Sequence, residues 1–325
     1  MSAIVKAKLT TSKPEAPSSE IRKHYYLDRY VIMAPKRNQR PDSFEGSIKP
    51  EPHKVPNADC PFCGNFEPAK FAQPGPRNWQ VKVVPNLFSQ LSFDNPKAYG
   101  TTEVVINTPD HAREFSELSL ENIELIFEAY RQRLVVLKAT PGIRYVLVFK
   151  NDGPIAGASV SHAHCQIYAL PLVPPRIVAE SDAFAHYHAE HGTCAVCDVL
   201  TWEETQKVRV IYADKHLVAI TPYASAHMYE VWFLPRRHLN LFTELNDAEM
   251  HSLATSLRNV TARLDSVNMS FNYHIQEAID DQDHHLLVKL EPRRHKEYAG
   301  AEMGTGIITN PVLPEYAALW YNSKL

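Results

Sequence analysis

Nothing in these 325 residues approaches the run of roughly 18 apolar residues that a membrane span needs. Residues 1–20 lack the apolar centre of a secretory signal and read instead as a flexible leader rich in Ser, Pro and Lys. Charge of one sign is scarce as well. With 34 basic against 37 acidic side chains the net charge is −3, which argues against a dedicated nucleic-acid or membrane-surface binder. A soluble, cytoplasmic chain is the expectation, long enough for one large or two ordinary domains. Cysteine is sparse too, with five residues. Four of these form two C-x-x-C pairs, Cys60/Cys63 in ADCPFCGN and Cys194/Cys197 in GTCAVCDV. Without an export signal, such pairs favour a metal over a disulfide. The fifth, Cys165, reads as a small buried residue.

The chain repeats itself. HAREFSEL at 111–118 and HLNLFTEL at 238–245 share H-x-x-x-F-[ST]-E-L. Each follows a strand-like segment, TEVVINTP or MYEVWFLP, whose glutamate (Glu103, Glu230) stands eight residues before the histidine. Each precedes a segment with helical periodicity, LENIELIFEAYRQRLVVL or DAEMHSLATSLRNVTARL, the second capped by Asn246 or Asp247. Two further strand-like segments close each copy. The expected fold is therefore α+β: a tandem duplication over about 55–172 and 190–293, each copy an antiparallel sheet crossed by a long helix. The expected organisation is leader 1–20, first half 21–172, a linking loop 173–193 and second half 194–325.

Structural zinc takes four N or S ligands in a tetrahedron, and a C-x-x-C turn supplies two. The repeat nominates His111 and the strand SVSHAHCQIYALP nominates His162 to complete the first set. In the second set His238 is the repeat partner of His111. Counting back from Pro171 and Pro292 aligns His285 with His164 and Asp283 with His162; His285 is the preferred fourth ligand, with Asp283 or His284 as fallback. Iron accepts the same ligand types.

On that strand His162, His164 and Gln166 share one face. With His162 given to zinc, His164 is left as an imidazole able to attack phosphorus and form a labile phosphoramidate. Gln166 can donate to phosphate oxygens without acting as a general acid. Ser159, Ser161 and Asn151 add further donors. Arg37 and Arg40, which alone would read as a solvated turn, offer cationic clamps.

These residues resemble the galactose-1-phosphate uridylyltransferase family, the transferase branch of the histidine-triad superfamily. The resemblance runs from Ile21 onward, through IRKHYYLDRYVIMAPKRNQRP, CPFC, the histidine of TPDH and NDGPIAGASVSHAHCQ, to HKEYAGAEMGTGIITNPVLPE. It implies two histidine-triad-like halves and a homodimer. It also implies ping-pong nucleotidyl transfer through a covalent nucleotidyl-His164, on small nucleotide and sugar-phosphate substrates. By spacing, Lys296 and Glu302 match positions that contact the sugar phosphate. Hydrolases of the superfamily carry a third histidine where this chain has Gln166, which speaks against hydrolysis; an aligned His164 and Gln166 speak against a non-catalytic nucleotide-binding module. Ala301 stands where well-known uridylyltransferases have an aromatic residue, and EMGTGIITNPVLPE looks closer to a sub-branch with two zinc sites. That sub-branch includes enzymes of the ADP-glucose phosphorylase type, and adenylylsulfate:phosphate adenylyltransferases also resemble the family. UMP transfer between UDP-hexose and hexose-1-phosphate is the first expectation, adenylyl transfer to phosphate the second. The base pocket is expected to draw on Asn86, Leu87 and Phe88.

Overall fold

The computed structural model describes residues 17–39, 60–63, 71–72, 79–279, 284–293 and 299–323. Arg40, Asp283 and Lys296 lie outside them, and so does most of the leader. The chain opens with β1 (Glu20–Lys23) and β2 (Tyr30–Met33), followed by β3 (Phe71–Ala72), β4 (Lys82–Pro85) and β5 (Thr101–Ile106). Helix α1 (Leu120–Lys138), β6 (Tyr145–Asp152) and β7 (His164–Leu170) complete the first half. The segment expected to be a linking loop instead forms helix α2 (Pro175–His191). Then come α3 (Ala195–Gln206), β8 (Val210–Ala213), β9 (Leu217–Ile220), β10 (Val231–Pro235), α4 (Asp247–Asp265), β11 (Ser270–Gln276) and β12 (Leu287–Arg293). Last are α5 (Gly300–Thr305), β13 (Ile308–Asn310) and α6 (Pro314–Asn322).

The phenylalanine and the glutamate of the H-x-x-x-F-[ST]-E-L repeat each have a physical reason. Phe115 and Phe242 are buried in the common core. Glu117 and Glu244 fold back to accept from backbone amides, Glu114 N at 2.9 Å and Asn240 N at 2.8 Å, closing a tight turn before each helix. Ser119 then caps α1, accepting from Asn122 N at 3.2 Å. Asn246 caps α4 through a reciprocal box with Glu249, at 3.0 and 2.9 Å. The capping question left open by the sequence falls to Asn246.

The two half-sheets are fused. β6 of the first half pairs antiparallel with β11 of the second, Asn151 opposite Asn272 and Phe149 opposite His274. The result is one ten-stranded sheet in the order β3-β4-β5-β7-β6-β11-β12-β10-β9-β8, whose order mirrors about that seam. Helices α1 and α4 lie on one face, and a single core joins Ile126, Phe127 and Val148 of the first half to Leu253, Phe271 and Val288 of the second. The opposite face is treated differently in the two halves. Over the second, Phe184 of α2 and Val196 and Val199 of α3 pack onto Trp232, Leu234 and Leu287. Over the first, Phe62, Val84, Val104 and Ile106 form a small apolar floor. The N-terminal strands join the C-terminal segment instead of this sheet: β2 pairs with β1 and, in parallel, with β13. The loop after β1 lies against the second half, where Tyr223 N donates to Tyr25 Oη at 2.7 Å.

The donor quartets fix which residues correspond, because His162 and His285 hold the same place in each. Four residues on, Gln166 and Lys289 are mates, and the ladder links them through Phe149 and His274. Two residues earlier, Leu287 is the mate of His164; two earlier again, His285 is the mate of His162. Counting back from the prolines is therefore off by two, because Pro171 follows its strand whereas Pro292 lies inside β12. The Glu103–Glu230 correspondence also fails. Glu103 pairs with Ile167, and the mate of Ile167 is Leu290, which pairs with Val231. A one-residue slip reverses the face of a strand side chain. Glu103 accordingly accepts from Arg133 of α1 at 2.7 and 2.9 Å, whereas Glu230 accepts from Trp232 Nε1, at 2.7 Å, on the other face.

Candidate functional site

β7 begins where the chain enters the sheet beside β5, with Ile106 opposite His164 and Val104 opposite Gln166. Strand alternation then sends Cys165 and Ile167 into the helix-side core and His164 and Gln166 to the opposite face. Cys165 is buried there beside Tyr273 Oη, at 3.2 Å, as expected of a small interior residue. On the other side His164 and Gln166 line a pocket of about 130 Å³ together with Asn86, Phe88 and Ser159. The predicted residues Arg37, Asn151, Ser161 and Glu302 do not line it. Phe62, Val84, Val104 and Val160 do, and sequence reasoning missed all four. Phe62 had a signal: it sits inside CPFC, and its ring centroid is 5.1 Å from that of His164. The base-pocket residues Leu87 and Phe88 are largely exposed, on a turn closed by Phe88 N donating to Asn86 Oδ1 at 2.9 Å.

His164 is 6% exposed. Its Nδ1 lies 2.8 Å from the His162 carbonyl oxygen, which can only accept, so Nδ1 carries the proton and Nε2 keeps the lone pair. Burial, and secondly the Lys150 ammonium, push the imidazole down to about 4, so it is neutral at ordinary pH. Lys150 lies under the strand on the helix side, its Nζ donating to the His164 carbonyl at 3.1 Å.

Four donors meet at one end of each half. In the first, Cys63 Sγ is 3.3 Å from His111 Nδ1 and 3.7 Å from His162 Nδ1, and Cys60 Sγ is 3.7 Å from His162 Nδ1. In the second, Cys197 Sγ is 3.5 Å from His238 Nδ1 and 3.4 Å from His285 Nδ1, and Cys194 Sγ is 3.9 Å from His285 Nδ1. Each quartet keeps its ligand atoms within 4.8 Å of one another. A tetrahedral zinc with ordinary Zn–S and Zn–N bonds sets S···N edges of about 3.6 Å, so both donor sets fit the ion. The far nitrogens are held as well: His162 Nε2 is 2.7 Å from Thr108 O and His285 Nε2 is 2.9 Å from Pro235 O, which directs each Nδ1 to the thiols. The Cys194 thiol is drawn down to about 4, first by its hydrogen bond from Cys197 and then by His285, despite partial burial.

Elsewhere on the sheet the mates of His164 and Gln166 are Leu287 and Lys289. Lys289 Nζ pairs with Glu180 of α2 at 3.3 Å, and Gln276 donates to the same carboxylate. Burial raises that carboxyl, but Lys289 and Arg176 outweigh it and hold Glu180 far below its usual range. The second half thus keeps the donor quartet and fills the pocket. Glu302 is held low by backbone amides at the start of α5, and the Arg37 charge acts on it in the same sense. Among the described residues no helix is long and apolar enough to cross a membrane.

Sequence models of the galactose-1-phosphate uridyl transferase N-terminal and C-terminal domains match residues 10–174 and 180–290. The chain is 31% identical to ADP-glucose phosphorylase of Arabidopsis thaliana, over 94% of this chain and 92% of that protein. It is 29% identical to galactose-1-phosphate uridylyltransferase of Thermotoga maritima, over 92% of this chain and 96% of that protein. Among solved structures, the crystal structure of the Arabidopsis thaliana ADP-glucose phosphorylase with bound ADP-glucose superposes with a TM-score of 0.82 at 29% identity, over 95% of this chain and 99% of that one. A uridylyltransferase structure superposes with a TM-score of 0.73 at 28% identity, over 94% and 98%.

Proposed function

The chain belongs to the galactose-1-phosphate uridylyltransferase family and is a nucleotidyltransferase; on that premise we propose that it works by ping-pong transfer through a covalent nucleotidyl-His164. The observation that carries this reading is the His164 ring itself. Its proton is committed to the His162 carbonyl and its Nε2 lone pair is left for the pocket that Gln166 lines. Nε2 attacks the α-phosphorus of a nucleoside diphosphate hexose, the bond from phosphorus to the bridging oxygen breaks, and hexose-1-phosphate leaves with that oxygen. Gln166 and Ser159 donate to the phosphoryl oxygens, and Gln166 supplies no proton for premature hydrolysis. In the second half-reaction phosphate or a hexose-1-phosphate attacks the same phosphorus and frees His164. The carbonyl of His162 stabilises the Nδ1–H while the ring carries the nucleotidyl group.

Both quartets would hold zinc, which when bound fixes the strand entrances and takes no part in the displacement. The adenylyl reading, with an ADP-hexose donor and phosphate as acceptor, is placed first. The 0.82 TM-score to the ADP-glucose phosphorylase structure supports it over the 0.73 to a uridylyltransferase. This reverses the order expected from sequence. UMP transfer stands second, supported by 29% identity to the Thermotoga maritima enzyme over nearly the whole of both chains. Family resemblance also supports a homodimer.

Intact-protein mass after brief incubation with ADP-glucose or UDP-glucose tests the covalent transfer and the choice of nucleotide. An AMP-sized adduct cleared by phosphate is the expected result, and His164→Asn should abolish it. A UMP-sized adduct cleared by galactose-1-phosphate would move the protein to the second reading. Turnover undiminished in His164→Asn would overturn the covalent mechanism for either donor.

A further inference from the structure

Asn151 stands in β6, and continuing the Phe149–Gln166 register by two residues sets it opposite His164. It does not line the pocket, yet its side chain is held from the other half of the molecule. Asn272 of β11 is its cross-seam partner, with Nδ2 at 2.8 Å from Asn151 Oδ1 and 2.8 Å from the Ala156 carbonyl. Arg293 of β12 donates from Nε to Asn272 Oδ1 at 2.8 Å.

The chemistry of these groups leaves one arrangement. A guanidinium only donates, so the Asn272 atom facing Arg293 must be its oxygen. Its other atom is then the NH2 group, which suits Ala156 O, a pure acceptor. That NH2 also faces Asn151, whose near atom must therefore be Oδ1. The Asn151 NH2 is turned away from the seam toward the turn Gly153–Gly157. Both glycines there have positive φ, +82° and +88°, and a Cβ at Gly157 would come within 3.6 Å of Asn151 Nδ2. This turn leads to Ser159 in the pocket wall. Three residues of two halves thus decide which end of one amide is presented on the His164 side.

We propose that Asn272 and Arg293, both from the second half, are positioning residues. They lock the Asn151 amide with its NH2 toward the transferred phosphoryl group. The proposal rests on the nucleotidyl-transfer reading. It gives the second half, where Leu287 stands in the place of His164, a part in the reaction.

The experiment is a double-mutant cycle on the first-order rate of adduct formation, measured by rapid quench and intact mass with ADP-glucose and UDP-glucose. Asn272→Asp keeps an acceptor for Arg293 but can no longer donate to Asn151, so the Asn151 amide turns over and offers its oxygen to the phosphate. Loss of one hydrogen bond to a charged acceptor predicts a rate roughly 10- to 100-fold lower. In an Asn151→Ala background the same change should alter the rate by less than about twofold, because there is no amide left to orient. Arg293→Lys, which keeps a donor, should retain most of the rate. Arg293→Met should lose it only where Asn151 is present. A purely structural role would slow both backgrounds equally, and that result would overturn the inference while the transfer reading stands. An Asn151→Ala variant as fast as wild type would overturn it too. No adduct on the wild-type protein with either donor would overturn the transfer reading and this inference with it.

Discussion

Lys150 is a buried cation placed directly beneath the strand that carries His164, and its removal should be costly in a specific way. It is 1% exposed, pairs with Asp152 at 3.2 Å and donates to the His164 carbonyl at 3.1 Å. Asp152 is buried beside it. Replacing Lys150 by Met keeps the length of the side chain and leaves the Asp152 carboxylate deprived of this cation. Breaking one side of a buried pair costs about 3–5 kcal/mol, much of a domain's usual margin of roughly 5–15 kcal/mol. Replacing both members, as Lys150→Met with Asp152→Leu, removes the carboxylate along with its cation. What remains is one carbonyl without that donor, about 1–3 kcal/mol. The double variant should therefore be more stable than the single one. Urea denaturation of the zinc-saturated protein at neutral pH, followed by circular dichroism, measures both. A single variant within about 1 kcal/mol of wild type would refute the argument, and so would a double variant less stable than the single. Adduct formation should be slowed in both, since the His164 carbonyl loses the same donor in each.

The donor quartets predict about two zinc ions per chain, and Cys63→Ser and Cys197→Ser should each lose one of them by elemental analysis. Loss of two from either variant would mean that the sites are coupled instead of independent. Chelation should lower the melting temperature; removal of metal with folding and activity intact would sink the structural role. His274, at the centre of the seam, is pushed down to about 4, chiefly by burial and against the pull of Glu291. An unfolded imidazole takes its proton near 6.5, so this group's contribution is present above pH 6.5 and lost as pH falls toward 4. The loss reaches about 3 kcal/mol at 1.36 kcal/mol per unit. His274→Gln should unfold with a shallower dependence on pH between 6.5 and 4 than wild type; an unchanged slope would show that His274 titrates normally.

Much of the site is legible from local sequence because its chemistry is local. The two C-x-x-C turns, the histidine that opens each helix-capping turn and the alternation His162–Ala163–His164–Cys165–Gln166 need only strand and turn geometry to be read. The donor quartets assembled from these motifs are the ones that come together in space. The duplication is equally legible, since Glu117 and Glu244 of H-x-x-x-F-[ST]-E-L each close their own turn. The small sheet is the opposite case: Val31 and Ile308, 277 residues apart in sequence, are neighbours only because β2 pairs with β13.

The sequence by itself therefore determined the strand that carries His162, His164 and Gln166, the two donor quartets and the repeated order of elements, all read from short motifs and their recurrence along the chain. Tertiary structure decided what the two copies do with them. Strand register, settled by partners far along the chain, made Leu287 and Lys289 the mates of His164 and Gln166 and placed Glu103 and Glu230 on opposite faces. Helix α2, written as a linker, covered the second copy's face through Phe184 and through Glu180 on Lys289, while the first copy's face holds a pocket among the described residues. A period-2 pattern tells which residues share a face; only the pairing of whole strands tells which face is left open.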